Sequence, residues 1–243
     1  MDPNDAPVLG LREAKKRETR QLISDHATRL FIERGFEQTT IAEIADAARV
    51  AKKTVTNYFP RKEDLALDHQ DEFVAALATT VTARGTDETP LTALRRAFLA
   101  AVAAQDPVAG FAGRAFTRMI ADSPTLTSCL RGLHDRREEA LTAALADTTD
   151  TPPDDITPRT AAALLGGVHR VLFTRIQELT LAGRTNPEIA EVLAREAPRA
   201  FDLLTPALAE YGRRAQGCPT GAGAGRGHRH RPDRPEAVTG DAS

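Results

Sequence analysis

Residues 39–63, TTIAEIADAARVAKKTVTNYFPRKE, predict two short helices joined by a tight turn. Thr40 can begin a capping box with Glu43, in which each side chain accepts a hydrogen bond from the backbone N–H of the other residue. From there the apolar residues recur at i, i+3, i+4 and i+7, so one helical face carries Ile41, Ile44, Ala45 and Ala48. This spacing predicts a first helix of about two turns with one buried face.

The second helix is predicted over residues 52–58, after a turn at residues 49–51. Val55 and Phe59 lie one turn apart and are its predicted core contacts. The remaining surface has cations, hydroxyls and one amide, carried by Lys52, Lys53, Thr54, Thr56, Asn57 and Tyr58. These groups suit phosphate oxygens and base edges in a DNA major groove. The pattern therefore predicts a helix-turn-helix whose second helix contacts DNA.

This part of the chain resembles the TetR family of repressors. The matching elements are Phe31-x-x-x-Gly35-Phe36 before the motif, Thr39-Thr40-Ile41-x-x-Ile44-Ala45-x-x-Ala48 within it, and Thr54-x-x-x-Tyr58-Phe59-x-x-Lys62-Glu63-x-Leu65 after it. The resemblance covers residues 15–65 in detail and the rest of the chain only in its helical layout.

Three positions depart from the family pattern. Arg49 stands where the family commonly has Gly, and a left-handed backbone there would cost on the order of 1 kcal/mol relative to Gly. Thr56 stands where the family commonly has Tyr, which removes a ring that touches DNA in relatives. Lys53 stands where a small residue is common, which adds a second cation to the predicted DNA-contacting surface.

The resemblance implies an all-α fold with a three-helix DNA-binding head followed by a larger helical ligand-binding and dimerisation domain. We place a disordered arm at 1–11, the head at 12–62, the larger domain at 63–211 and a disordered tail at 212–243. The tail is rich in Gly, Arg and His and cannot bury enough apolar surface to order itself.

About nine helices are predicted in all. The first lies in the head and is closed by Gly35. The fourth runs from Glu63 to Gly85, because Leu65, His69, Phe73, Leu77 and Val81 recur every four residues. Each later helix begins with a cap or acidic residue followed by Pro, and these helices are predicted at 90–104, 107–121, 124–146, 158–182 and 187–211.

Charge is divided between the two predicted domains. Residues 12–62 hold twelve Lys and Arg against seven Asp and Glu, whereas residues 63–211 hold fourteen against twenty-two. A basic head on an acidic body is the distribution expected of a protein that meets DNA only through the head. Within that head, Thr40, Thr54, Tyr58 and Lys62 are the predicted phosphate contacts, and Lys52, Lys53 and Asn57 are the predicted base contacts.

The resemblance also implies a small-molecule ligand and a homodimer. A pocket among the middle helices is predicted from apolar residues and a few polar ones: Phe98, Leu99, Phe111, Phe116, Met119, Leu126, Leu133 and Phe173, with Arg114, Arg118, His134 and His169. The many apolar candidates favour a lipophilic or acyl-type ligand. TetR relatives dimerise through their last two long helices, so the resemblance implies dimerisation through helices 158–182 and 187–211. A dimer is expected because a two-fold operator requires two heads about 34 Å apart. The alternative is that both helices only bury the core of one chain.

We predict a repressor that binds a palindromic DNA operator as a dimer and is released by its ligand. The alternatives are an architectural DNA-binding protein without a ligand and, more remotely, a helical enzyme. No HExxH, CxxC, GxSxG or phosphate-loop motif occurs in a supporting context, so no enzyme activity, metal or cofactor is predicted.

A cytoplasmic protein without a membrane segment is predicted. No apolar run approaches the roughly 18 residues of a membrane span. The N-terminus lacks the apolar segment of a secretory signal. Cys129 and Cys218 are far apart in the sequence and are expected to be free thiols.

Overall fold

The computed structural model describes residues 5–152 and 154–213, and in these ranges the chain forms eleven α-helices and one 3-10 turn without any strand. The helices are α1 (Asp5–Arg34), α2 (Ile41–Ala47), α3 (Lys52–Tyr58), α4 (Lys62–Ala66), α5 (Gln70–Thr82), α6 (Pro90–Ala104), α7 (Arg114–Asp122), α8 (Pro124–Thr148), α9 (Thr157–Leu181), α10 (Asn186–Asp202) and α11 (Thr205–Leu208), and the 3-10 turn is Pro107–Ala109. The predicted all-α class is confirmed. Most of the predicted tail, including Cys218, lies outside the described residues.

Helices α1 to α4 form the head. Their apolar faces meet in a core whose largest members are almost fully buried: Ile23, Phe31, Ile44, Val55, Phe59 and Leu65. Gly35 ends α1 with φ 88°, and its N–H donates to the Phe31 carbonyl at 3.0 Å. Phe36 then folds back so that its ring lies 5.0 Å from that of Phe31. The glycine therefore closes the first helix of the head as its position predicts.

Helix α1 begins at Asp5, so residues 5–11 of the arm predicted as disordered lie within its bounds. Pro7 is compatible with this start, because a proline in the first helical turn removes an N–H that has no intrahelical partner. Residues 1–4 lie outside the described part of the chain.

The helix predicted from Glu63 to Gly85 is two helices, α4 and α5, separated by residues 67–69. Leu67 has φ −117° and ψ 49°, and it packs against apolar residues of both the head and the larger domain. The Asp68 carboxylate accepts a hydrogen bond from Ser24 of α1. These tertiary contacts accompany the break, and the four-residue period does not encode them. As a result His69 is exposed instead of facing the core.

The single helix predicted at 107–121 is also wrong. The 3-10 turn is followed by Gly110 at φ 121° and Gly113 at φ 81°, and α7 starts only after them. A Cβ on Gly110 would lie 3.3 Å from side-chain atoms of both Ile176 and Phe173 on α9. Glycine thus permits both the backbone conformation and the close approach to α9.

The starts of the later helices follow their sequence signatures. The Thr89 and Ser123 hydroxyls accept from the backbone N–H groups of the third helical residues of α6 and α8. Thr185 forms a capping box with Glu188 at α10. The predicted helix 187–211 ends early, at Asp202, and a short helix, α11, follows it. Pro206 has no N–H to donate to the Asp202 carbonyl, which favours an end here, although Pro198 is accommodated inside α10.

The larger domain, here called the body, contains α5 to α11. Its main core is formed by α5, α6, α8, α9 and α10, with Leu94, Leu141, Leu145, Leu165, Ile176, Ile189, Leu193 and Phe201 among its buried residues. None of the described helices combines the length and apolar character needed to cross a bilayer.

The head is attached to the body at residues 119–126, here called the α7–α8 corner. Met119, Ile120 and Leu126 belong to the same apolar cluster as the head core. The Ser123 hydroxyl donates to the Glu37 carboxylate at 2.7 Å, and this hydrogen bond lowers the pKa of Glu37. Movement of this corner would therefore change the position of the head.

Candidate DNA-binding surface and ligand cavities

The helix-turn-helix forms as predicted. Thr40 is the N-cap of α2, and the Glu43 carboxylate accepts from the Thr40 N–H at 2.8 Å. This backbone hydrogen bond is the main cause of the lowered pKa of Glu43. Arg49 adopts φ 55°, a left-handed conformation, at the position where the family commonly has Gly. The Val50 N–H then donates to the Ala45 carbonyl at 3.0 Å and completes the connection to α3.

Helix α3 presents most of the predicted DNA contacts to solvent. Lys52, Lys53, Thr56 and Asn57 are exposed, whereas Thr54 and Tyr58 are half-buried. The Thr56 hydroxyl donates to the Lys53 carbonyl at 3.1 Å, so only its acceptor capacity remains for an outside group.

Two predicted phosphate contacts already have partners within the head. The Lys62 ammonium donates to the Glu37 carbonyl at 3.3 Å and lies 4.3 Å from the centre of the Phe36 ring. The Thr40 hydroxyl both accepts from the Glu43 N–H and donates to its carboxylate. An ammonium has three donors, so Lys62 retains capacity for a phosphate.

Arg20 fixes α3 against α1. Its guanidinium donates to the Tyr58 carbonyl at 2.9 Å and lies 4.2 Å from the centre of the Phe59 ring. The sequence places Arg20 only in a basic stretch of α1, because no local pattern links residues 38 positions apart.

A cavity of about 650 Å³ lies between the head and the body. Its head side is formed by α1 residues that include Ser24, Thr28 and Ile32. Its body side includes Phe111, Phe116, Ile120, Leu130, Leu133 and Phe173. The volume lies within the range of pockets that hold small organic ligands.

The predicted pocket residues separate into three groups. Phe111, Phe116, Leu133 and Phe173 line the large cavity. Phe98 and His169 line a second cavity of about 220 Å³, to which Phe173 also contributes. The others line neither: Leu99, Arg114, Arg118, Met119, Leu126 and His134. Among these, Met119 and Leu126 are part of the head core, and Arg114 and Arg118 are exposed.

The two histidines lie in aromatic surroundings. The His134 ring is 5.0 Å from Phe73 and 5.2 Å from Phe173, both edge-on. The His169 ring is 5.5 Å from Phe98, and its Nε2 is buried without a hydrogen-bond partner. Burial is the main cause that lowers the pKa of His134 to about 4 and of His169 to about 3, so both rings are neutral at pH 7.

Arg137 is the functional candidate that the sequence analysis missed. It lines the smaller cavity, is only 8% exposed and lies 4.4 Å from the centre of the Phe73 ring. Burial lowers its pKa to about 10, so the guanidinium remains a cation at neutral pH. A sequence signature exists, because Arg137 falls at helical spacing among apolar residues of α8: Leu126, Leu133, Leu141 and Leu145.

Two family models match the chain. The model of bacterial regulatory proteins of the tetR family matches residues 23–68, which contain the helix-turn-helix. The model of the MftR C-terminal domain matches residues 88–209, half of the chain. The chain belongs to the TetR family. TetR-family members are DNA-binding transcription regulators, typically ligand-responsive repressors, and they are dimeric.

The individual proteins similar to this chain share about a fifth to under a third of their residues with it. TcmR, an HTH-type transcriptional regulator of Streptomyces glaucescens, is 29% identical over 205 residues, which cover 82% of this chain and 88% of TcmR. The SmeT–triclosan complex gives a TM-score of 0.52 at 19% identity, covering 83% of this chain and 96% of SmeT. Salmonella enterica GusR gives 0.51 at 21% identity, covering 79% and 96%. These two structures share the fold.

Proposed function

We propose that this TetR-family regulator is a repressor that binds a palindromic operator as a homodimer and is released by a small lipophilic or acyl-type ligand. The observation that carries this proposal is the 650 Å³ cavity, whose wall is shared by α1 of the head and by helices of the body. A ligand there touches both parts of the molecule at once.

DNA recognition is assigned to the exposed side of α3. Lys52 and Lys53 can donate to guanine O6 and N7. The Asn57 amide can accept from adenine N6 and donate to adenine N7. Phosphate contacts are assigned to the donors around these three residues: Thr54, Tyr58 and Lys62. The Thr40 and Thr56 hydroxyls donate to the Glu43 carboxylate and the Lys53 carbonyl, so each must leave that partner before it can donate to a phosphate. Arg20 supports this surface by holding the C-terminal end of α3 against α1.

Release is assigned to the α7–α8 corner. Phe116 and Ile120 line the cavity, and Ile120 also packs in the head core. A ligand that displaces these side chains moves the corner, and the Ser123–Glu37 hydrogen bond couples that movement to the head. For release, the ligand must bind this displaced conformation more tightly than the operator-binding one.

The homodimer is assigned to the helices predicted at 158–182 and 187–211. On α9, Leu164 and Val171 are exposed and lie seven residues apart, so they share one face. Gly167 lies between them, and an added Cβ there would meet no atom within 4 Å. This apolar face with a small residue at its centre suits close packing against a second copy of the chain.

The proposed dimer surface can be tested with two glutamate substitutions, one inside the surface and one outside it. Val171→Glu places a carboxylate in the proposed interface, and the purified variant should elute as a monomer in size-exclusion chromatography with light scattering. The control is Ile156→Glu, since Ile156 is also exposed but lies before the apolar face of α9. A dimeric Val171→Glu protein would contradict this interface.

The main experiment is selection of bound duplexes from a random DNA pool at physiological salt. A palindromic consensus is expected, and the same duplex then provides a release assay for lipophilic and acyl-type compounds. If a folded, dimeric protein enriched no motif, the architectural alternative would be favoured, particularly if binding were sequence-blind and salt-dependent.

A further inference from the structure

The smaller cavity contains a buried cation without a counter-ion. Within the described ranges, no ion pair involves Arg137. Its Nε is buried without a hydrogen-bond partner among the described residues, and its guanidinium lies over the face of the Phe73 ring. A buried charge is costly unless a partner of opposite sign and hydrogen bonds offset its loss of hydration.

The nearby carboxylates are engaged elsewhere. Asp135 and Glu138, on the same helix as Arg137, both pair with Arg170, at 3.5 and 3.4 Å. Asp106 lines the smaller cavity, but its carboxylate accepts the Val108 N–H at 2.8 Å and caps the 3-10 turn. The guanidinium thus faces a cavity in which the protein itself supplies no salt bridge.

A second polar group in the same wall also lacks a partner. His169 is 6% exposed, lines the smaller cavity and has an unpaired Nε2. The other lining residues are largely apolar, and they include Leu77, Leu94 and Phe98. The polar groups of this cavity are therefore few: one guanidinium, one imidazole, the Thr80 hydroxyl and the Asp106 carboxylate. Of these, the hydroxyl donates to the Ala76 carbonyl and the carboxylate accepts the Val108 N–H. The guanidinium Nε and the imidazole Nε2 have no hydrogen-bond partner in the described part of the chain, so these two groups can orient a ligand.

The two cavities are neighbours. Val108 and Phe173 line both of them. These two side chains lie between the cavities, so a molecule with its charged end in the smaller cavity reaches the larger one by displacing them. The larger cavity touches the head and the smaller cavity lies within the body.

We infer that the effector is an organic acid whose carboxylate binds Arg137 and His169 in the smaller cavity while its apolar part occupies the larger one. The planar guanidinium can bind both carboxylate oxygens at once, and a neutral imidazole can donate one further hydrogen bond. This inference rests on the proposed function and narrows its ligand class to an acid.

The test uses benzoate, an aromatic carboxylate chosen as small enough for the smaller cavity, and its neutral counterpart benzamide. Binding to the purified full-length dimer is measured without DNA, by calorimetry and by thermal stabilisation. Benzoate is expected to bind at least about tenfold more tightly than benzamide, because the amide cannot form the charge-assisted hydrogen bonds of the carboxylate. Equal binding of the two compounds by the unchanged protein would overturn the inference.

Two variants separate Arg137 from nonspecific charge. Arg137→Met should reduce benzoate affinity by about tenfold or more and leave benzamide affinity within a factor of a few. Arg136→Met removes an exposed cation from the adjacent position of α8 and should not change benzoate affinity. Benzoate binding that survives in folded Arg137→Met protein would overturn the inference. Equal stabilisation by chloride at the same ionic strength would also overturn it, because the site would then hold a simple inorganic anion.

The outcome is separable from that of the proposed function. If a neutral apolar compound released a selected operator while benzoate failed to bind, the repressor proposal would stand and the acid inference would fall. If no operator were found but benzoate binding depended on Arg137, the anion site would stand without the repressor proposal.

Discussion

The head and the body each contain an arginine stacked on a phenylalanine, and the two are used differently. Arg20 lies 4.2 Å from the centre of the Phe59 ring, and Arg137 lies 4.4 Å from that of Phe73. Arg20 donates to the Tyr58 carbonyl, whereas the Nε of Arg137 is buried without a partner. A stacked arginine with a backbone acceptor stabilises the fold. One without an acceptor retains an unused binding capacity, and this difference separates a structural residue from a candidate ligand contact.

Acid should affect the body more than the head. The depressed pKa values of His134, about 4, and His169, about 3, mean that the unfolded chain binds protons more readily than the folded one. The stability they contribute is therefore complete above the unfolded pKa of about 6.5 and is lost as the pH falls towards the folded values. Between pH 7.5 and 5 each histidine should lower the free energy of unfolding by about 2 kcal/mol, and the two together by about 4 kcal/mol.

Urea unfolding at a series of pH values measures this slope. The double variant His134→Gln/His169→Gln should flatten it. His69→Gln, which replaces an exposed histidine, is the control for the loss of a histidine as such. An unchanged slope in the double variant would show that other groups cause the acid sensitivity.

Removing the two stacked arginines should change stability in opposite directions. Arg20→Met loses a charged donor to a carbonyl and should destabilise the protein by about 1–3 kcal/mol. Arg137→Met replaces an unpaired buried charge with an apolar side chain and should be neutral or stabilising by about 1–4 kcal/mol. Urea midpoints of both variants at pH 7.5, in buffer without organic acids, provide the comparison. Strong destabilisation by Arg137→Met would indicate a structural partner for this cation and weaken the comparison.

Within the head, DNA measurements should distinguish two kinds of contact. Asn57→Ala should relax the preference at one base position by about 1–3 kcal/mol, because it removes a pair of hydrogen bonds to a base edge. Lys62→Ala should weaken binding to all sequences alike, as expected for a phosphate contact. Binding to single-base variants of the selected operator distinguishes the two patterns. Equal loss at every position for Asn57→Ala would remove its assignment as a base contact.

The sequence predicts the head more completely than the body, because the head depends on local patterns. The Thr40 capping box and the Gly35 cap each involve residues only a few positions apart, and both form. The break at Leu67 depends on packing between head and body, and the ring under Arg137 comes from a different helix. The starts of α6, α8 and α10 in the body depend on local caps and were predictable. Helix breaks and cavities there depend on contacts between distant segments, so periodicity alone cannot predict them.

The smallest expected effect concerns a left-handed backbone conformation that a residue of the head shares with a residue of the body. Arg49 in the head has φ 55° and Gln105 in the body, at the end of α6, has φ 53°. Glycine at either site removes a Cβ clash worth about 1–2 kcal/mol but adds freedom to the unfolded chain, so a net gain of about 0.5–1 kcal/mol is expected. Thermal unfolding of Arg49→Gly and Gln105→Gly measures this gain, and Gly35→Ala, at φ 88°, should show a loss. Because the gain arises from the backbone alone, it should be similar in the two variants. A gain at Gln105 without one at Arg49 would mean that the Arg49 side chain makes a compensating contribution in the turn before α3.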